Sequence, residues 1–107
     1  MNAVKVTTSK QWFRIRMLHF TTFTGHERKA LTILRSRQEL GKVDVWYFEE
    51  NAKFVGYAIV TPGKDKVLIN YLVVANGMRR QSKSGVMMKI LKYEYSGRGI
   101  FAEGCSD

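Results

Sequence analysis

The sequence predicts an α+β fold, an α/β sandwich in which helices pack on a mixed sheet, in the element order α-α-β-β-β-α-β. Three observations predict it: two N-terminal segments with helical spacing of apolar residues, three consecutive β-branched and aromatic runs, and a final helix followed by a short strand. The chain has 107 residues, of which 45% are hydrophobic and 25% are charged. These values predict a single domain over residues 1–107 and exclude a disordered or low-complexity chain.

The first predicted helix covers 9–20, where Trp12, Ile15 and His19 share one face. We interpret His19 as a partly buried histidine with satisfied hydrogen bonds, because it lies on this apolar face.

The second predicted helix covers 25–40. Thr24 and Glu27 have the spacing of a capping box, in which each side chain accepts from the other residue's N–H. Gly41 fits the position just after the helix end.

Three strands are predicted over 43–48, 54–60 and 67–75. The first two are joined by the short polar segment 49–53, so we expect them to be antiparallel. The third is apolar at nearly every position, which indicates a strand covered on both faces.

A basic loop over 76–84 leads to a predicted helix over 86–95 and a last strand over 100–103. A strand, helix and strand in this order predict a right-handed crossover between parallel strands.

Charge and cysteine content limit the possible partners and the setting. Eighteen Lys and Arg oppose nine Asp and Glu, which gives a net charge of +9 and favours an anionic partner such as nucleic acid, a nucleotide cofactor or an acidic membrane. The only cysteine, Cys105, excludes an internal disulfide framework and favours a cytoplasmic location. No signal peptide is recognised and no apolar stretch approaches about 18 residues, so we expect no membrane partner.

Five local strings occur in the order found in the GCN5-related N-acetyltransferase (GNAT) superfamily, and the chain resembles that family from about residue 23 onwards. One string leads into the second helix, two lie on strands that would form the cofactor cleft, one forms a phosphate loop with its helix, and one lies on the last strand. In order they are Phe23–Arg28, Phe54–Ala58, Tyr71–Asn76, Gln81–Gly85 with Lys89–Tyr93, and Ile100–Glu103.

The resemblance implies an acyl-CoA N-acyltransferase-like mixed sheet and an acyl-CoA-dependent N-acetyltransferase, or a CoA-binding descendant of one. In that family the core strand and the next parallel strand splay apart, the pantetheine arm of acetyl-CoA lies between them, and an amine acceptor attacks the thioester directly. Here the strands correspond to 67–75 and 100–105. The implied cofactor contacts are the backbone of Leu72, Val73 and Val74 for the pantetheine and thioester, and Arg79, Arg80, Gln81, Ser82, Lys83, Ser84, Gly85, Val86 and Met87 for the pyrophosphate.

The physics of the loop supports a phosphate site. Unpaired N–H groups at a helix N-terminus attract anions, and glycine lets the backbone approach a phosphate. The family pattern R/Q-x-x-G-x-G/A can be aligned in two registers, and each departs from it. One starts at Arg80, with Lys83 in place of the first glycine and Gly85 as the second. The other has Ser82 in place of the Arg or Gln, Gly85 as the first glycine and Met87 in place of the second. The alternative interpretation is a solvated basic turn.

The resemblance also implies that the chain stops after the strand that follows the CoA-binding helix, without the family's usual C-terminal helix and strands. The last strand would then have an open edge, so we expect a homodimer that covers it. A fragment or a degenerate relative is the other interpretation.

A direct transfer needs a base for the ammonium form of the acceptor. Among Glu49, Glu50, Glu103, His19 and His26 we choose Glu103, because it lies on the strand beside the cleft; the first two fall at a hairpin tip and His26 in a helix cap. The acceptor itself stays open, and we expect it to enter beside the first two helices, between strand 43–48 and the core strand. The histidine spacing does not match a zinc helix, so no metal is expected.

The rival function is a small basic nucleic-acid-binding domain without catalysis. It rests on charge and on aromatic residues that could stack bases. It ranks lower because the sequence contains no recognised nucleic-acid-binding motif.

Overall fold

A computed structural model describes residues 1–79 and 81–102, together with the backbone of residues 105–106. The predicted order α-α-β-β-β-α-β is confirmed, with an additional strand before the first helix. The elements are β1 Asn2–Lys5, α1 Ser9–Thr22, α2 His26–Glu39, β2 Asp44–Glu50, β3 Lys53–Pro62, β4 Lys66–Val74, a 3₁₀ turn Asn76–Met78, α3 Lys83–Glu94, β5 Gly99–Ala102 and β6 Cys105–Ser106.

The strands form one mixed sheet in the order β1-β2-β3-β4-β5, with β6 also paired to β4. The pairs from β1 to β4 are antiparallel, and β4 pairs with β5 and β6 in parallel. Helices α1 and α2 pack on one face of the sheet and α3 packs on the other. Strand β4 is therefore covered on both faces, as its apolar sequence predicted.

Strand β1 is the element that the sequence did not reveal. It lies at the edge of the sheet, where Val4 faces Tyr47 and Lys5 faces Trp46. An edge strand with exposed side chains needs no continuous apolar run, and this one has none. Among the described residues, β1 forms backbone pairs with β2 alone, so its place in the sheet depends on that pairing.

The capping box predicted at Thr24 and Glu27 is wrong. Helix α2 follows Gly25, which has a φ of 59°, and no side chain caps the helix. The carboxylate of Glu27 instead accepts a hydrogen bond from the hydroxyl of Tyr71 on β4. A tertiary contact has thus replaced the local one.

A capping box is present on α1. The Thr8 hydroxyl accepts from the Gln11 N–H at 3.1 Å, and the Gln11 side-chain oxygen accepts from the Thr8 N–H at 3.1 Å. The predicted end of α2 is confirmed, because Gly41 follows the helix with a φ of 74°.

A β-bulge in β4 decides which side chains face the α1/α2 layer. Ile59 of β3 faces Tyr71, whereas the next residue, Val60, faces Ile69, so Asn70 is an extra residue in β4. Ile69 therefore points into the core under α3, and Tyr71 points into the core under α1 and α2. The bulge places Asn70 and Tyr71 side by side next to α2.

Gly56 allows β3 to approach β4 unusually closely. A Cβ atom at this position would lie 2.2 Å from the carbonyl oxygen of Val73 and 3.1 Å from the Cα of Val74. No larger residue fits without moving the backbone of β4, where the sequence places the cofactor strand.

Candidate active site

A groove of about 500 Å³ runs between α2 and β4. Helical spacing brings one face of α2 to it, and the bulge in β4 supplies the opposite wall. It is lined by α2 and β4 alone, whereas the sequence-based expectation placed the acceptor beside both helices and between β2 and β4. The lining residues are His26, Glu27, Ala30, Ile33, Leu34, Arg37, Asn70 and Tyr71.

The polar part of the groove is built from β4 and the first turn of α2. The Tyr71 hydroxyl donates to Oε2 of Glu27. The Asn70 side-chain oxygen accepts from the Thr61 hydroxyl at 2.6 Å, which leaves the Asn70 NH₂ group as a donor on a residue that lines the groove. The groove therefore offers a carboxylate, an amide and a phenol close together.

A buried histidine supports this arrangement from behind. The Nε2 of His19 lies 2.6 Å from the carbonyl oxygen of Glu27, and its Nδ1 lies 2.5 Å from the Tyr57 hydroxyl. Because a carbonyl only accepts, Nε2 carries the proton, and the neutral ring then accepts from Tyr57. Burial lowers the pKa of His19 and raises the pKa of Tyr57, which favours this neutral pair. The predicted satisfied histidine is confirmed, although it is fully buried rather than partly so.

Phe23 completes the packing around the phenol of Tyr71. Its ring centroid lies 4.9 Å from the His19 ring and 5.2 Å from the Tyr71 ring, the latter edge-on. The end of α1, the start of α2 and strand β4 thus meet in one aromatic cluster, which fixes the Tyr71 side chain that bonds Glu27.

The predicted phosphate loop leads into α3, which begins at Lys83, three residues earlier than predicted. Ser82 precedes it in a left-handed conformation with a φ of 56°, and no side chain caps the helix. The first N–H groups of a helix lack intrahelical partners. Around Gly85 the space where a Cβ would lie is open, so an anion can approach the backbone of this first turn.

Two basic side chains of this region already have protein partners. Arg79 donates to the Val74 carbonyl at 3.1 Å and to the Thr22 hydroxyl at 3.0 Å, so it links the end of β4 to α1. Lys83 donates to the carboxylate of Glu50, and this bond lowers the pKa of Glu50.

The other predicted cofactor residues fall into three groups. Gln81, Ser82 and Val86 are exposed, and Ser84 is half-buried. The Met87 side chain is fully buried against the sheet, so it does not face the surface at the helix start. Arg80 and the predicted base Glu103 lie outside the described residues.

The expected cleft alongside β4 is closed over most of its length. Pairing with β5 ends at Ile69 and Ala102, and it resumes in the same register where Leu72 faces Cys105 and Val73 faces Ser106. The expectation that these strands splay apart is therefore wrong as far as Val73. Paired strands satisfy backbone groups that an open cleft would leave exposed.

The end of β4 extends beyond this pairing. The Ala75 N–H donates to the Val55 carbonyl at 2.7 Å on β3. Since backbone groups alternate along a strand, Val74 presents its N–H and C=O to the opposite edge. Its carbonyl accepts from Arg79, and its N–H faces β6, because a parallel pair such as Val73 with Ser106 is bonded through the residues that flank Val73.

Within the described ranges, no group of three or more His, Cys, Asp or Glu side chains is arranged to hold a metal ion. In that same part of the chain, no helix is both long and apolar enough to cross a membrane.

The fold matches solved structures of one superfamily. A GNAT-family protein from Bacteroides thetaiotaomicron, assigned as an acetyltransferase, matches 95% of this chain at 14% identity with a TM-score of 0.83. A GNAT-family protein from Desulfovibrio desulfuricans, assigned likewise, matches 94% at 14% identity with a TM-score of 0.77. An aminoglycoside 6'-N-acetyltransferase complexed with coenzyme A matches 94% at 13% identity with a TM-score of 0.70.

The matches cover 59%, 71% and 58% of those three chains, so this chain spans about three fifths of the length of the first. No protein-family model and no curated protein matches the sequence. The chain has the GNAT fold, as the local strings in its sequence implied.

Proposed function

We propose that the protein is an acyl-CoA-dependent N-acetyltransferase. The observation that carries the proposal is the GNAT fold with a polar groove beside the middle of β4, in a chain whose α3 N-terminus is open to an anion. The thioester supplies an activated acetyl group. A primary amine attacks its carbonyl carbon, the C–N bond forms, the C–S bond breaks, and the two protons that the ammonium loses go to a base and to the departing thiolate.

The residues at the α3 N-terminus fit a diphosphate. The backbone N–H groups of the first turn would hold it, and Gly85 leaves room for close approach. The predicted contacts from Arg79, Arg80 and Lys83 would add positive charge. Because Lys83 is paired with Glu50, it would exchange one anionic partner for another.

The pantetheine and thioester are proposed to lie along the backbone of Leu72, Val73 and Val74. Val74 presents its N–H and C=O to this side of β4, and its N–H would become free where the pairing of Val73 with Ser106 opens. Leu72 would likewise fit it only after its pairing with β6 opens, whereas the backbone groups of Val73 face β3. Glu103 remains our sequence-based proposal for the base.

Calorimetric titration with acetyl-CoA and with CoA tests the proposal. We expect one site per chain and a rise in melting temperature, because a ligand that binds only the folded state stabilises it. Gly85→Glu should weaken binding by at least about tenfold, since it places a carboxylate where the phosphate would lie. Lys92→Gln, in the last turn of the same helix, is the control and should leave the affinity within about twofold. No heat and no thermal shift at millimolar ligand would refute the proposal.

The structure weakens the nucleic-acid alternative, which needs aromatic rings free to stack bases. Trp12, Trp46 and Tyr47 are buried. The exposed rings of Phe13 and Tyr93 lie on α1 and α3, on opposite faces of the sheet, so these two do not form one platform, and the exposed ring of Phe101 lies on β5. Oligonucleotide binding with a steep salt dependence and no response to acetyl-CoA would favour this alternative.

A further inference from the structure

The groove beside α2 carries opposite charges at its two ends. Glu27 lies in the first turn of α2 and Arg37 in the last, ten residues apart, which corresponds to about 15 Å of helix. Ala30, Ile33 and Leu34 form an apolar wall between them. This placement also complements the helix dipole, so the charges alone do not indicate a ligand. The groove that both side chains line is the independent observation.

Each charged end has capacity to bind a further group. The carboxylate of Glu27 is exposed and is held through Oε2 by Tyr71, so its other oxygen is available to an ammonium group. The guanidinium of Arg37 is exposed, and no acidic side chain of residues 1–79 or 81–102 forms an ion pair with it. Ile33 is 55% exposed in the groove wall, an apolar surface that a ligand would cover.

We propose that the groove binds a linear primary amine with an apolar body and an anionic group at its far end. The ammonium group would bind Glu27, the apolar chain would cover Ile33 and Ala30, and the anion would bind Arg37. Both charged side chains line the groove, and we propose a spacer of about eight carbon atoms between the two charges. This inference rests on the proposed function, because it names the class of acceptor that the acetyltransferase would use.

The charge at the far end distinguishes this class from other amines. A diamine would place its second ammonium group near Arg37 and be repelled. A simple alkylamine would bind only through Glu27 and the apolar wall. An aminoalkanoate engages both ends, and Arg37 presents a planar donor pair that matches a carboxylate.

The test uses the full chain without acetyl-CoA and measures binding of three linear amines by NMR titration. They are 8-aminooctanoate (aminooctanoate below), octylamine and 1,8-diaminooctane (diaminooctane below). We expect aminooctanoate to bind at least about tenfold more tightly than octylamine, and octylamine more tightly than diaminooctane. Arg37→Gln should bring the affinity for aminooctanoate down to that for octylamine and leave octylamine unchanged. Glu27→Gln should weaken both amines.

Matched variants on the same helix control for general effects. Arg35 lies over the Trp12 ring at 5.1 Å, outside the groove, so Arg35→Gln should leave the aminooctanoate affinity unchanged. Glu39→Gln is the control for Glu27→Gln and should leave the affinity for both amines unchanged. Thermal melts confirm that each variant folds. Equal affinities for the three amines, or no effect of Arg37→Gln, would overturn the inference. Aminooctanoate binding without any response to acetyl-CoA would instead refute the acetyltransferase and leave the groove assignment standing.

Discussion

The buried ring of His19 donates a hydrogen bond to the backbone carbonyl of Glu27, at 2.6 Å. Glu27 is the second residue of α2, and its carboxylate lies at one end of the groove. His19, near the end of α1, does not line the groove, but its hydrogen bond holds the backbone of Glu27 in place. The contact also ties the two helices together at their junction.

The His19 contact predicts a pH dependence of stability. Burial lowers the pKa of His19 in the folded state below its usual value of 6.5. The unfolded chain therefore binds a proton more readily, and the free energy of unfolding should fall as the pH drops below about 6.5. Urea unfolding at pH 7.5 and 5.5 measures the change.

His19→Gln should reduce that pH dependence, whereas His26→Gln, which changes an exposed histidine, should keep it. An unchanged slope in the His19 variant would contradict this account of the buried ring.

Gly56→Ala should destabilise the fold by about 2–4 kcal/mol, because the new Cβ would lie 2.2 Å from the Val73 carbonyl oxygen and force the backbone apart. Gly85→Ala is the matched control: no atom lies within 4 Å of its Cβ position, and alanine favours a helix. Urea midpoints compare the two, and equal midpoints would show that β3 and β4 are less closely packed than described.

Tyr95→Phe should cost about 1–3 kcal/mol. The Tyr95 hydroxyl donates to Asp44 at 2.5 Å and accepts from the Trp46 indole N–H at 2.9 Å, so its loss leaves the buried Trp46 N–H without this partner and leaves Asp44 with its ion pair to Lys5. Tyr93→Phe, on a side chain that is 79% exposed, should change nothing measurable. Similar unfolding curves for the two variants would contradict the hydrogen-bonded link between α3 and β2.

Glu50→Gln should strengthen CoA binding by about threefold to tenfold, because Lys83 would no longer have to leave an ion pair to reach the phosphates. Glu49→Gln, one residue earlier on β2, is the control and should have a smaller effect. Calorimetry at two salt concentrations measures both, and weaker binding by the Glu50 variant would show that Lys83 does not contact the ligand.

Periodicity predicted the elements that carry a continuous apolar face. Strand β4 is buried on both faces, and Gly41 follows the end of α2, so their sequences alone located them. Strand β1 was missed because it is a short edge strand whose only requirement is pairing with β2. Local patterns carry no information about such long-range pairing.

The candidate groove was harder to predict because it depends on register. The bulge at Asn70 turns Tyr71 toward α2, and Tyr71 then takes the carboxylate of Glu27 that the sequence assigned to a helix cap. The closure of β4 against β6 was missed for a related reason, since the family resemblance implied a splay that the pairing at Leu72 and Val73 replaces. The loop before α3 was located correctly, but the engagement of Arg79 with Thr22 depends on a neighbour far away in sequence.

Amide NMR titration with acetyl-CoA tests the central claim most directly, because it shows where the ligand binds. The account predicts saturable shifts confined to Lys83–Val86, the first turn of α3, and to Val74 and its neighbours at the end of β4. Shifts restricted to the basic faces of α1 and α2, or no shifts at millimolar acetyl-CoA, would contradict it.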